Sequence, residues 1–357
     1  MPCRCTISIA NVLLISALAY AQTAEPLIIA GLKPAPGTIA AGKIDIPAGS
    51  SPSDPATQIP LAIIRGAKPG PVLAVIAGFG GTEYGPIVAT YELLKELKPA
   101  EIRGTLIVVH MANVPAFLEH SIYLNPIDRK DLGRSFPGKA DGTSSERIAY
   151  ALTHDIIEKS DSVLLIDAGG TNTMMQPFVY QTLTGDAKLD AQIGEMALAF
   201  GINNIVVEKD PKRPADPAQS VTPDNTSLTR GKPVLRVMCG SFGVADGRTV
   251  GSIIRGIESE LALAGLSSGT VTKTRVPFYF DHTVAIMSPA TGILTSLVQR
   301  GQEVHRGDPL FIVSNFNNKN PVGIPSAGNG IVLAVMLTPP VNKGDAVILM
   351  GIPRPGQ

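Results

Sequence analysis

The feature that most constrains the fold is a regular alternation of short apolar runs with helical periodicity, between about residues 61 and 266. The apolar runs are rich in Val, Ile and Leu and have the length of buried strands. They cover residues 71–77, 105–110, 162–166, 204–207 and 233–238. The helical patterns cover residues 86–97, 143–157, 187–200 and 249–264. This alternation predicts an α/β fold, in which helices cover both faces of a central sheet.

A different pattern begins at about Thr270, where helical periodicity stops and short strands take over. Two Val-x-x-Gly-Asp turns, at 304–308 and 341–345, each follow a strand marked by Pro and Gly. This near-repeat predicts a pseudo-symmetric β-sandwich, and it resembles the barrel-sandwich hybrid of biotinyl and lipoyl carriers. Those carriers expose a modifiable Lys at a hairpin tip, and this sequence has no comparable tip. We therefore interpret residues 269–357 as a β-rich module with a structural role, which packs against the main domain.

The first 21 residues have the pattern of a secretory signal peptide. Arg4 precedes an apolar run at 7–19, and the small-x-small sequence Ala-Tyr-Ala ends at Ala21. An uncleaved membrane anchor is the alternative, although the run is short for a bilayer span. We expect cleavage and export, to the periplasm or outside the cell, with no stable membrane span afterwards. A Pro/Gly/Ser-rich extended segment, 22–53, then leads into the α/β domain at 54–268.

Charge and cysteine content exclude several classes of protein. Lys and Arg together number 30, as do Asp and Glu, so the chain has no net charge. It lacks the basic field that nucleic-acid binding requires. Two of the three Cys lie in the predicted signal peptide, which leaves Cys239 alone and excludes a disulfide scaffold. Nothing in the sequence indicates an oligomeric state.

A glycine-rich turn at residues 78–85 follows the first strand of the α/β domain and opens a helix. This is the end of the strand at which α/β folds bind ligands. The turn is not a Walker loop, because no Lys-Ser/Thr pair follows, and its glycine spacing does not fit dinucleotide binding. Glu83 provides the only carboxylate of the turn. The helix dipole stabilises a negative charge at the start of a helix, and this alone would explain an acidic residue here. The residues alone therefore predict a tight turn with an acidic side chain.

Further motifs along the chain allow a more specific interpretation of this turn. Residues 125–138 contain Asn-Pro, Asp-Leu-Gly-Arg and Phe-Pro-Gly in that order, and residues 143–149 read Thr-Ser-Ser-Glu-Arg-Ile-Ala. With the turn at 78–85 and the strand at 233–240, they closely resemble the succinylglutamate desuccinylase/aspartoacylase family, a branch of the zinc carboxypeptidase-like fold. The resemblance covers most of the chain. It implies a mixed eight-stranded sheet between helices, with a small C-terminal all-β module of the barrel-sandwich type.

Members of that family hydrolyse the amide bond of N-acyl amino acids, and some relatives trim peptides. A zinc ion held by two His and one Glu activates water, a second Glu shuttles the proton, and Arg residues bind the substrate. Carried over to this sequence, the resemblance retains the metal-ligand Glu as Glu83. The two His positions are occupied by Gly80 and Gly169, so Glu83 is the only metal-ligand type that remains.

The catalytic and substrate-binding positions of the family are also altered. The proton-shuttling Glu falls on Met238, and the Arg that normally precedes Tyr123 is Ile122. Gly133 replaces the Asn before Arg134. We therefore assign no catalytic residue from the resemblance.

These replacements predict a folded pseudoenzyme that binds neither zinc nor another cofactor. Glycine brings no donor atom, one carboxylate cannot hold zinc tightly, and methionine cannot move a proton. The scaffold motifs at 125–138 are intact, which argues against an accumulation of mutations throughout the sequence. We expect the pocket to bind a small carboxylate or peptide-like ligand through Arg134 and, more weakly, through Arg129 and Lys130.

Two enzymatic alternatives stay open. An active deacylase or carboxypeptidase could use rearranged metal ligands, for which the candidates are His110, His120, His154, His282 and His305. A serine or cysteine hydrolase could use Ser241 or Cys239, because residues 239–243 follow a strand and come close to the Gly-x-Ser-x-Gly elbow. Asp246 and a His of the β-rich module would complete a triad in that case.

Overall fold

The computed structural model describes residues 27–209, 216–317, 319 and 321–356. The predicted signal peptide lies outside the described residues. In the described part of the chain, every helix is too short or too polar to span a bilayer.

The α/β part follows the order that the sequence predicts, with several further strands. Its strands are β1 Thr38–Ile46, β2 Thr57–Arg65, β3 Lys68–Ala77, β4 Arg103–Val109, β5 Ser162–Asp167, β6 Thr173–Met175, β7 Phe178–Leu183, β8 Asn204–Lys209 and β9 Val234–Met238. Its helices are α1 Tyr84–Glu96, α2 Val114–Leu118, α3 Ser144–Ala151, α4 Ala187–Ala199, α5 Pro223–Thr229 and α6 Gly247–Leu263.

The central sheet is mixed and runs β1-β2-β4-β3-β5-β9-β7-β8. Strands β4, β3, β5 and β9 are parallel, while β1, β2 and β7 introduce antiparallel pairs. On one face Leu73 and Val75 of β3 belong to a core that includes residues of α1, α4 and α6. Ala74 and Ile76 belong to the core on the opposite face, which includes residues of α3. The predicted α/β fold with a mixed sheet is confirmed.

Several elements were not predicted from the sequence. The N-terminal extended segment contributes β1, which pairs with β2 along its whole length. Most of the β1 side chains are exposed, so the strand lacks the apolar run that identifies a buried strand. The helix expected through Ile157 is α-helical only to Ala151. A π-helical turn, Leu152–Ile157, completes it, and the Glu158 N–H donates to the Thr153 carbonyl 2.9 Å away.

The C-terminal region consists of strands, as expected, but part of it joins the central sheet. Its strands are β10 Phe278–Met287, β11 Gly292–Ser296, β12 Glu303–Val304, β13 Pro309–Ser314, β14 Val322–Pro325, β15 Gly330–Met336, β16 Pro340–Val341 and β17 Ala346–Pro353. Strand β10 pairs parallel with β8, and the sheet continues through β17, β15 and β12. Strands β14, β13, β11 and β16 form a separate antiparallel sheet.

The near-repeat of the C-terminal region has matching geometry in its two copies. The Asp308 carboxylate accepts a hydrogen bond from the His305 N–H at 2.8 Å, and Asp345 accepts one from the Asn342 N–H at 2.7 Å. Gly307 and Gly344 have positive φ angles, 95° and 91°, which glycine adopts without strain. The repeated Val-x-x-Gly-Asp sequence is therefore explained by one turn geometry that is used twice.

Candidate functional site

A cavity of about 570 Å³ lies at the carboxyl ends of β3, β5 and β9. Gly80 in the turn after β3, Asp167 at the end of β5 and Met238 at the end of β9 all line it. Asp167 and Met238 are paired residues of neighbouring parallel strands. Residues 131–134 and the start of α5 line the cavity as well.

Glu83 lies immediately before α1, lines the cavity and is only 9% exposed. Its Oε2 atom has no hydrogen-bond partner among the described residues. Burial raises the pKa of the Glu83 carboxyl well above its usual range, and the charge of Asp167 raises it further. Backbone N–H groups of Gly80 and Phe79 act in the opposite direction. A carboxylate in this position is costly unless a cation balances it.

Three further carboxylates line the same cavity and were not predicted from the sequence to be site residues. They are Asp131, Asp167 and Asp224. Asp167 Oδ1 and Asp224 Oδ1 are buried and, within the described part of the chain, have no hydrogen-bond partner. Burial raises the pKa of Asp167, and the nearby Arg236 lowers it. The cavity therefore contains four carboxyl groups, and Glu83 is the only one of them that the family resemblance identified as a metal ligand.

Arg236 of β9 is the cation inside the cavity, and it was also missed. Its Nε lies 3.2 Å from Asp167 Oδ2, and its guanidinium carbon lies 4.7 Å from the centre of the Tyr180 ring. Burial by itself lowers the pKa of Arg236, but the charge of Asp167 raises it above its usual range. The signal that could have found it is a single charged residue within the apolar strand sequence Val-Leu-Arg-Val-Met.

Only one of the three basic side chains that were predicted to bind a ligand lines the cavity. Arg134 lines the cavity at its rim, where its side chain is 82% exposed and its Nε lies 3.5 Å from Asp131 Oδ2. Gly133 lines the cavity beside it. Lys130 instead donates to Glu146 Oε1 at 3.0 Å, and neither it nor Arg129 lines the cavity. The structure thus brings Arg134 to the site and leaves the two weaker candidates outside it.

The space around Gly80 and Gly169, where the resemblance predicts the two His ligands of the family, is closed. A Cβ atom added to Gly80 would lie 2.5 Å from the Ile122 carbonyl oxygen and 2.9 Å from Glu83 Oε1. One added to Gly169 would lie 2.9 Å from the Thr173 carbonyl oxygen. Both distances to carbonyl oxygens are shorter than van der Waals contact. The backbone is therefore packed against glycine, and an imidazole at either position would require it to move.

The histidines do not replace the missing ligands, since none of them lines the cavity. His110 is buried beside α1, where its Nδ1 lies 3.0 Å from Thr90 Oγ1 and its ring stacks on Tyr91. Burial lowers the pKa of His110 to about 4. The remaining four bond elsewhere or lie exposed on the surface, and they are His120, His154, His282 and His305.

The donor set does not fit the zinc centre of the family. Zinc in hydrolases takes three protein ligands, usually including imidazole nitrogens, at about 2.0–2.2 Å from one point. Gly80 and Gly169 have no donor atoms, and in the described part of the chain no three side chains of ligating type converge on a common point.

Neither Ser241 nor Cys239 lies beside a catalytic base among the described residues. Ser241 Oγ accepts a hydrogen bond from the Met175 N–H at 2.9 Å and another from Arg300 Nη1 at 3.1 Å. Asp246 caps α6 by accepting from the backbone N–H groups of Arg248 and Thr249. The residues of the proposed triad are thus used structurally.

Cys239 is expected to be unreactive in the folded protein. It is 2% exposed, and burial raises the pKa of its thiol to about 11, so the thiolate fraction at neutral pH is on the order of 10⁻⁴. A variant with Cys3 and Cys5 replaced by Ser should react with a thiol-specific disulfide reagent only after denaturation. Fast labelling of the native variant would instead revive the cysteine-hydrolase alternative.

Comparisons with known proteins identify relatives of this chain. A family model described as the succinylglutamate desuccinylase/aspartoacylase catalytic domain matches residues 69–241. The N-alpha-acetyl-L-2,4-diaminobutyric acid deacetylase of Halomonas elongata is 27% identical over 303 residues, which cover 83% of this chain and 86% of that protein.

Solved structures share the fold over nearly the whole chain. A succinylglutamate desuccinylase from Silicibacter sp. superposes with a TM-score of 0.80 at 21% identity, covering 92% of this chain and 98% of that one. The product-bound ectoine utilization protein EutE (DoeB) from Ruegeria pomeroyi also has a TM-score of 0.80, at 24% identity and the same coverage. The fold is thus that of the class of N-acyl amino acid deacylases. The chain belongs to the succinylglutamate desuccinylase/aspartoacylase family.

Proposed function

We propose that this chain is an exported, metal-free pseudoenzyme of its family, which binds a small amino-acid-like carboxylate or peptide-like ligand without hydrolysing it. The observation that carries the proposal is the closed packing at both His positions. At Gly80 the Ile122 carbonyl occupies the space that a side chain would need. Both His ligands of the family are absent from the sequence, and the backbone around Gly80 and Gly169 is packed too closely for a side chain.

Two steps of metal hydrolysis lack the groups that perform them. Zinc would lower the pKa of its bound water from about 15.7 to about 7, and Gly80 and Gly169 cannot hold it. Met238, which lines the cavity at the position of the proton-shuttling Glu, has no ionisable group.

The cavity keeps the features that bind a ligand. Arg134 at the rim presents an exposed guanidinium, which suits a carboxylate because it donates two parallel hydrogen bonds. The Halomonas relative is named for an N-acetylated diamino acid. Ligands of this chemical class, acylated or free, are the first that we would test.

The proposal is tested by an assay for amide hydrolysis. With added zinc, the purified chain is expected to cleave Nα-acetyl-L-2,4-diaminobutyrate, N-succinylglutamate and N-acetylaspartate no faster than its Glu83→Gln variant does. That variant is the matched control because it keeps the shape of the side chain and removes the charge. Zinc-dependent turnover by the unmodified chain, lost on chelation, would favour the metallohydrolase with rearranged ligands.

Export is tested by the fate of the N-terminus. When the full chain is produced in a Gram-negative host, the mature protein is expected in the periplasmic fraction without residues 1–21, because signal peptidase accepts small residues before the cleavage point. Mass spectrometry of the intact protein measures this loss. An Ala21→Phe variant should remain unprocessed. Recovery of the unmodified chain in the cytoplasm with its full N-terminus would contradict export.

A further inference from the structure

The cavity contains buried carboxylate oxygens that have no partner. Glu83 is more than nine-tenths buried, lines the cavity and leaves Oε2 without a hydrogen bond. Asp167 and Asp224 each contribute one more such oxygen within the described part of the chain. Buried polar groups in native proteins are nearly always paired, so unpaired carboxylate oxygens on residues that line a cavity indicate a cationic ligand.

The carboxylates are not balanced by the arginines of the cavity. Four acidic side chains line it, Glu83, Asp131, Asp167 and Asp224, against Arg134 and Arg236. Arg236 already engages one oxygen of Asp167, and Arg134 lies at the rim beside Asp131. Neither arginine is therefore paired with Glu83 in the described part of the chain.

An organic ammonium group fits this arrangement better than a metal ion does. A metal ion needs several ligand atoms that converge at about 2.0–2.2 Å, and such a group is absent from the described residues. An ammonium donates three hydrogen bonds, each about 2.8 Å long, so its acceptors can lie farther apart than the ligands of a metal ion do. Apolar groups of Phe79, Ala168 and Met238 in the same cavity can contact the carbon chain that carries it.

We infer that the ligand of this site carries a primary ammonium group, which binds Glu83 together with Asp167 and Asp224 and supplies the positive charge that a metal ion supplies elsewhere in the family. The inference rests on the proposed function, because it requires a metal-free cavity. Arg134 then binds the carboxylate at the other end of the ligand. The ligand class is a zwitterionic amino acid with a free amine, and N-acylation removes the charge that is recognised.

Isothermal titration calorimetry with matched probes tests the inference. The probes are the ω-amino acids from glycine to 6-aminohexanoate, the N-acetyl derivative of each, and the corresponding dicarboxylates. At least one free ω-amino acid is expected to bind at least about tenfold more tightly than its N-acetyl derivative and its dicarboxylate. Equal or tighter binding of the N-acetyl or dicarboxylate probe, or no binding by any ω-amino acid, overturns the inference.

Substitutions in the cavity test whether its carboxylates bind the ammonium group. Glu83→Gln should weaken binding of the free amine by about tenfold or more, and Asp224→Asn is the second variant in case the first does not fold. Glu119→Gln, at an exposed position outside the cavity, should leave the affinity unchanged. Unchanged affinity in both cavity variants would contradict the inference. Hydrolysis of the N-acetyl probes would instead contradict the proposed function, so the two failures are distinguishable.

Discussion

Replacing Arg236 by Met is expected to lower the free energy of unfolding by about 2–3 kcal/mol, between the values for exposed and for buried ion pairs. Arg236 lies 3.2 Å from Asp167, in a cavity that also contains Glu83 and Asp224. Without the guanidinium, the Asp167 carboxylate would be left partly buried among like charges. Methionine keeps most of the volume beside Tyr180, so the loss reports mainly on charge. Urea denaturation at neutral pH measures the change.

Arg134→Met is the matched control for this variant. The Arg134 side chain is 82% exposed, and its pair with Asp131 has a separation of 3.5 Å, so its loss should change stability by less than about 1 kcal/mol. Equal effects of the two substitutions would contradict the assignment of Arg236 as the internal cation. A stabilising effect of Arg236→Met would show that the cavity carboxylates are uncharged in the unliganded protein.

Gly80→His, which restores the residue type of the family, is expected to destabilise the protein by about 1–3 kcal/mol and to create no zinc site. The added Cβ meets the Ile122 carbonyl at 2.5 Å, so the turn or the loop that contains Ile122 must shift. One imidazole and Glu83 give only two ligands, since Gly169 still provides none. Thermal unfolding with and without zinc measures both the loss of stability and any stabilisation by zinc.

A histidine at an open glycine provides the control. Gly323 in β14 has no atom within 4 Å of an added Cβ and is exposed, so Gly323→His should change stability by less than about 0.5 kcal/mol. Zinc-dependent stabilisation of Gly80→His, but not of the control, would show that the site accepts the metal after a single change. That result would contradict our interpretation that the closed packing prevents zinc binding.

The buried part of the fold was predictable because its sequence pattern is unambiguous. Strand β3 contributes alternate residues to the cores on both faces of the sheet, so it is continuously apolar. Strand β1 was missed because it lies at the edge of the sheet with most side chains exposed. The joining of β10 to β8 was also missed, since pairing between distant segments leaves no local signal in the sequence.

The site was predictable where it depends on motif positions, and not where it depends on tertiary contacts. Glu83, Gly80 and Met238 follow from the family resemblance, and the structure places all three at one cavity. Asp224 and Arg236 enter that cavity only because α5 and β9 pack beside β5. The ligand-binding role of Arg134 stays a prediction, because its position at the rim is compatible with binding and does not demonstrate it.

The most direct test of the proposed absence of zinc is the zinc content of the purified full chain, measured by inductively coupled plasma mass spectrometry after growth in zinc-supplemented medium. We expect far less than one zinc per chain, with no increase after incubation with zinc and desalting. The Glu83→Gln variant should have the same content. Stoichiometric zinc in the unmodified chain that is lost in Glu83→Gln would contradict the account, because it would place a working metal centre where we find only one ligand of the family.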